Sequence, residues 1–200
     1  AKKPIVYEVD RSRDGSSFTT RRVVAIQEGQ AIFNLAASFQ VDEPGFEHQD
    51  EMPDAPPPLS LPTEQERNRP HAHKLPPGLR ERATAERPFE LRSASAEDDP
   101  FHPGAKKPSR MVWLRTTARL ADDPQLHRYL LAYASDHAFV TTSLLPHGAT
   151  WLTPGMQVAS LDHAMWFHRP FRVDEWLLHV MDSPAAHGGR GLVRGDRKSV

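Results

Sequence analysis

The residues best suited to chemistry lie between Val158 and Phe171, in the run VASLDHAMWFHRPF. There a hydroxyl (Ser160), a carboxylate (Asp162) and two imidazoles (His163, His168) sit among large apolar side chains. The run stands between Pro154-Gly155 and a second apolar stretch, Val173 to Met181, which predicts an interior position. Polar groups in such a place need partners or a function. Serine, aspartate and histidine together suggest a hydrolytic triad, but neighbours along a strand point to opposite faces, which separates Asp162 from His163. Ser160 also follows Gln157-Val158-Ala159 and lacks the glycine-flanked elbow of a covalent serine nucleophile. A further carboxylate of interest, Asp136, lies earlier in the chain. It falls at the far end of a predicted helix, where it opposes the macrodipole at a cost of about 0.3–1 kcal/mol; it is either an exposed aspartate whose penalty solvent screens or a carboxylate placed there for general-base work. His163 and His168 are expected to serve as structural hydrogen-bonding residues.

Positioning these groups requires a scaffold. Ile5–Val9, 18–26 and 31–40 read as three strands, joined by turns at Arg13-Asp14-Gly15-Ser16 and Gln27-Glu28-Gly29-Gln30. Nearly half of the 19 prolines fall between 41 and 87, which predicts a linker or extended crossing, with a short helix around 63–68. His71-Ala72-His73 has the spacing of a metal pair, but no other ligand stands nearby, and a solvated loop is expected. Phe89 to Ser93 and Met111 to Thr116 are strands around an Asp/Pro/Gly loop over 97–108. Asp122-Asp123-Pro124 starts a helix by capping chemistry, with Leu126, Leu130, Tyr133 and His137 on its buried face, widened by Leu131 and Ala134. Thr141-Thr142-Ser143 caps a second short helix, ended by Pro146-His147-Gly148. The Val158–Phe171 run fits strand or helix alike. After it come a strand over 172–181, a turn over 183–189 and a further strand from Gly191.

Composition narrows the function classes. The chain has 200 residues, 25 basic against 26 acidic, and a net charge of -1, with no strongly basic stretch, so nucleic-acid binding is not expected. No run approaches the roughly 18 apolar residues that span a bilayer. There is no cysteine, which excludes thiolate chemistry and cysteine zinc sites and fits a cytoplasmic protein. No metal or cofactor is expected.

The tail resembles the head: Pro170 to Trp176, a Gly/Ser/Pro turn and Arg190 to Gly195 mirror Lys3 to Tyr7, Asp14-Gly15 and Arg21 to Val24. Each copy lacks an element that the other shows, so the expectation is a tandem domain clipped at both ends. Residues 1–40 form part of the first copy, 41–87 the linker and 88–200 the second copy.

Several motifs then resemble those of one family, the double hotdog acyl-CoA thioesterases of type II. They are Asp14-Gly15-Ser16-Ser17-Phe18 with Arg21-Arg22-Val23, Ala37-Ser38-Phe39-Gln40, Met52-Pro53, Tyr133-Ala134-Ser135-Asp136, Leu145-Pro146-His147-Gly148 and the long run from Ser160 to Phe171. The resemblance implies an α+β fold of two antiparallel sheets, each wrapping a central helix. The first would lack its leading strand and helix and the second its last strands. It implies hydrolysis of fatty acyl-CoA to free acid and CoA by water, with Asp136 and Ser160 as catalytic residues. A catalytic Gln is implied on a strand beyond Val200; Gln27-Glu28-Gly29 is not it, because it lies in the first copy's hairpin. The resemblance further implies a homo-oligomer of double hotdogs. The competing reading is an inactive fragment that binds acyl groups or mediates oligomerisation; a hotdog dehydratase is less favoured by the motif.

Overall fold

A computed structural model describes residues 3–95, 99–102 and 104–199. The chain forms two compact units, residues 1–51 and 52–200. Of the loop expected over 97–108, residues 97, 98 and 103 lie outside the described residues.

The first unit is a three-stranded antiparallel meander of β1 (Val6–Asp14), β2 (Phe18–Gln27) and β3 (Gln30–Gln40). Its β-rich alternation makes the strands and its turns set their register. Glu28 and Gly29 both have positive φ (52° and 77°), the conformation of a two-residue hairpin turn that continues the natural strand twist. Gly15 must be glycine for a different reason, since a Cβ there would meet the Phe18 carbonyl oxygen at 2.7 Å. Arg21 braces the same turn, donating to the Arg13 carbonyl at 2.9 Å and pairing with Asp14. Within this unit Ala25 is the single buried residue among those described, and Val6, Val9, Phe33 and Phe39 are exposed.

The second unit carries a four-stranded antiparallel sheet in the order β4 (Phe89–Ser93), β5 (Ser109–Thr116), β6 (Leu177–His187) and β7 (Arg190–Ser199). Strand alternation divides its side chains. Leu91, Val112, Leu114, Leu177 and Met181 face a core completed by Leu131, Ala134 and Val173. Trp113 and Leu178 point the other way, against Ala94, Ala55 and Leu61. Each fully buried Leu or Val contributes about 1.5–3 kcal/mol.

The proline-rich segment holds more structure than its composition predicts. Besides α1 (Glu64–Asn68), capped by a reciprocal Thr63–Glu66 box, it contains a second helix, α2 (Pro77–Thr84). Proline hides this helix from a composition reading, although at the first helical position it costs nothing. Trp113 Nε1 donates to the Pro56 carbonyl at 2.9 Å, so residues preceding α1 are tied to the sheet.

Helix α3 (Pro124–Ala134) starts where the capping residues place it, with the Asp123 carboxylate accepting from the Gln125 N–H at 2.9 Å. Its buried face differs from the expected one. His127, Leu131 and Ala134 are buried, Tyr133 is exposed, and His137 lies beyond the helix. The choice was open because apolar residues line two adjacent stripes; the buried His127 decides it, its Nδ1 accepting from the Val173 N–H at 3.2 Å. Helix α4 (Phe139–Leu144) begins earlier than expected, so Thr141 and Thr142 lie inside it and donate back to the Ala138 carbonyl. Gly148, at φ 60°, closes the following turn as the sequence indicates.

Two further expectations are corrected. The Val158–Phe171 run is neither strand nor interior: it is irregular and mostly exposed, with Met165 and Phe171 alone packed on the core. The last hairpin is also longer than predicted, β6 running through Ser183 to His187 before the turn at Gly188-Gly189.

Candidate active site

Helices α3 and α4 are joined by an elbow at residues 135–138. Ser135 closes α3 with an N–H to the Ala132 carbonyl at 3.3 Å, and Ala138 takes a left-handed φ of 71° that turns the chain into α4. The elbow leaves Ser135 fully buried and Asp136 exposed. The irregular run passes across it. Ser160 Oγ donates to Asp136 Oδ2 at 2.7 Å, so the two residues singled out from the sequence meet across 24 residues of chain. The Ser160 lone pairs and the second Asp136 oxygen remain able to hold and deprotonate a water, which is the chemistry this pair can do.

Asp162 and His163 do not form a triad with Ser160. His163 Nε2 instead contacts Ser135 Oγ at 2.6 Å, while Asp162 and His168 are exposed and join neither contact. Behind Ser135 lies a group that sequence reasoning missed. Arg197 of β7 donates to the Ser135 carbonyl at 2.6 Å and contacts His179 Nδ1 at 3.4 Å. Burial lowers the Arg197 pKa to about 10, against a rise from Asp196, so it is still charged at neutral pH. Burial, followed by the charges of Arg197, His137 and His163, pushes the His179 pKa down to about 2 and keeps it neutral. Gly195 lets β7 pass this point, since a Cβ there would collide with the His179 and Phe139 rings. No spacing in the sequence reveals these partners, because Ser135 and Arg197 are brought together only by the sheet.

A cavity of about 400 Å³ opens next to the elbow, lined by His137, Ala138 and Thr141 together with Leu91, Arg110 and Val112. Asp136 and Ser160 do not line it. The His71-Ala72-His73 loop expected from the sequence is a 3-10 helix, and His71 stacks on Phe101 with ring centroids 4.6 Å apart. Asp99 and His102 lie beside it, with potential ligand atoms of all three within 4.8 Å. Asp99 is engaged by His102 Nδ1 at 2.5 Å and by the Phe101 N–H at 2.8 Å, so the cluster is held together by its own contacts. Gln27 sits at the end of β2 and donates to the Lys3 carbonyl at 3.1 Å.

A four-stranded antiparallel sheet with helices on one face, preceded by a second antiparallel meander, is an α+β hotdog architecture. A protein from Alicyclobacillus acidocaldarius described as having a hot dog fold matches at a TM-score of 0.65 and 17% identity, which speaks for the fold alone. The particular family follows from closer relatives. The family model for acyl-CoA thioesterase matches residues 79–198. Acyl-CoA thioesterase 2 of Haemophilus influenzae is 42% identical over 96% of this chain and 67% of its own length. Human acyl-coenzyme A thioesterase 8 is 39% identical over 97% of this chain and 62% of its own. The crystal structure of acyl-CoA thioesterase II TesB2 from Mycobacterium marinum superposes with a TM-score of 0.76 at 40% identity, covering 98% of this chain and 67% of that one. The chain belongs to the acyl-CoA thioesterase family and spans about two thirds of the length of these relatives.

Proposed function

We propose that the protein hydrolyses fatty acyl-CoA thioesters to free acid and CoA, with Asp136 as general base and Ser160 orienting the attacking water. The 2.7 Å bond between Ser160 Oγ and Asp136 Oδ2 carries this reading. Asp136 takes one proton of the water as its oxygen bonds to the thioester carbonyl carbon, giving a tetrahedral oxyanion. Collapse of that oxyanion breaks the carbon–sulfur bond, and the thiolate leaves readily because a thiol pKa near ~8.5 makes it a stable anion. Family membership supports the substrate class, since the relatives are named for acyl-CoA.

The test is release of free CoA thiol from palmitoyl-CoA by the full-length protein. Asp136→Asn is expected to lower kcat by roughly 10²- to 10⁴-fold, and Ser160→Ala by less. Hydrolysis by Asp136→Asn at the parent rate would overturn the assignment. No helix among the described residues is long and apolar enough to cross a membrane. A cytoplasmic setting is part of this reading, and fractionation of cells expressing the full-length protein tests it. The exposed apolar side chains of β1 and β3 support association of copies into a homo-oligomer, read by light scattering.

A further inference from the structure

We propose that His163 is a positioning residue, whose Nε2–H grips Ser135 and thereby sets the contact between Ser160 and Asp136. The proposal rests on the hydrolytic reading of that pair.

The Ser160–Asp136 contact is exposed and cannot hold itself in place. An exposed hydroxyl–carboxylate bond exchanges with water and contributes little net free energy. The run that carries Ser160 has no strand or helix to stiffen it. Among the described residues, the hydrogen bonds from 157–164 to the rest of the protein are two: Ser160 to Asp136 at 2.7 Å, and His163 to Ser135 at 2.6 Å. They join two residues three apart on the run to two adjacent residues of the elbow. One bond alone would leave the run free to pivot; two fix its orientation.

The second bond is built on a rigid base. Ser135 is 0% exposed, and its carbonyl is held by Arg197 at 2.6 Å. Its hydroxyl donates to the Ala132 carbonyl at 2.7 Å. Because a carbonyl can only accept, the single Ser135 hydroxyl proton is committed there, and Ser135 Oγ must accept from His163. Nε2 therefore carries the proton. The Phe139 ring, 5.8 Å from that of His163 between centroids, limits the imidazole from the side of α4. Both the neutral Nε2–H tautomer and the imidazolium can donate from Nε2, so the contact does not depend on the charge of the ring. This separates positioning from general-base action, which only the neutral ring without a proton on the reacting nitrogen could perform.

Glutamine can place an amide N–H near the position of Nε2, but it cannot act as a base. In full-length protein, His163→Ala is expected to lower kcat for palmitoyl-CoA by on the order of 10- to 100-fold, the cost of a misplaced catalytic pair, with KM little changed. His163→Gln is expected to recover most of that loss, with a pH–rate profile of unchanged shape. Ser135→Ala is expected to match His163→Ala, and the double variant to be no slower than the slower single one. A kcat for His163→Ala within about twofold of the parent would overturn the proposal. So would losses that multiply in the double variant, or a His163→Gln as slow as His163→Ala with an altered pH profile. If His163→Ala does not fold, as read by circular dichroism, His163→Gln and Ser135→Ala decide. Asp136→Asn, run in parallel, separates the two readings. If it is fully active, the hydrolytic assignment fails; if it is inactive while His163→Ala is not, only the positioning role fails.

Discussion

The two sheets of this protein both carry large apolar, strand-forming residues and have opposite fates. Strands β1–β3 carry Val6, Val9, Phe33 and Phe39, all exposed, whereas β5 and β6 carry Leu114, Leu177, Leu178 and Met181, all at 2% exposure or less. Strand propensity is alike in the two; what differs is what packs on them. In residues 52–200, α3 supplies Leu131 and Ala134 to one face, and the segment holding Ala55 and Leu61 covers the other. Strand propensity builds a sheet, but a covering layer gives it a core. The candidate chemistry lies on the covered side of this comparison, at the elbow where the covering helix ends.

Core truncation probes the difference most strongly. Leu114→Ala is expected to cost about 2–5 kcal/mol in urea unfolding, while Phe33→Ala, read on dissociated single copies, costs less than about 1 kcal/mol. A loss of equal size at Phe33 would show that its face is covered in the intact protein, and the contrast would break.

Acid should also act unequally. Strands β1–β3 contain no histidine, while β6 buries neutral His179 with a pKa pushed down to about 2. Below its ordinary pKa of about 6.5 the unfolded chain binds a proton that the folded state refuses, so stability falls as pH drops from there toward 2. The parent should lose about 2 kcal/mol more than His179→Leu between pH 7 and pH 5; urea midpoints at both values measure it. Equal pH slopes would mean His179 is protonated in the folded protein. Asp174, held down to about 2 by Arg172, adds stability that is present above its unfolded pKa of 3.8 and is lost as pH falls from there through about 2, so it does not confuse this window.

The smallest effect tests whether the proline-rich segment is a genuine part of the covered unit. Thr63→Ala removes a complete capping box, and is expected to lower stability by about 1 kcal/mol. No change in the midpoint would mean that α1 is not coupled to the cooperative unit.

Legibility from sequence followed the range of the cause. The hairpin at Gln27–Gln30, the Asp123 cap and the Gly148 stop are local, and each was readable from a few neighbouring residues. The buried face of α3 was not, because Leu126–Leu130–Tyr133 and His127–Leu131–Ala134 are both plausible stripes until Val173 claims His127. Helix α2 was concealed by prolines that mark breaks in most contexts. The Val158–Phe171 run misled more deeply: its apolar content suggested an interior strand, yet Leu161 and Trp166 are exposed.

By itself the sequence determined the strand turns and the helix caps, and its motifs carried the family resemblance through which Asp136 and Ser160 were singled out. These depend on residue identity and short spacing. Tertiary structure alone decided that Ser160 reaches Asp136, that His163 turns away from Asp162 toward Ser135, and that Arg197 supports Ser135 from β7. Those contacts join residues 24 to 62 positions apart. They exist because the elbow and the sheet bring distant chain together, which no local pattern encodes.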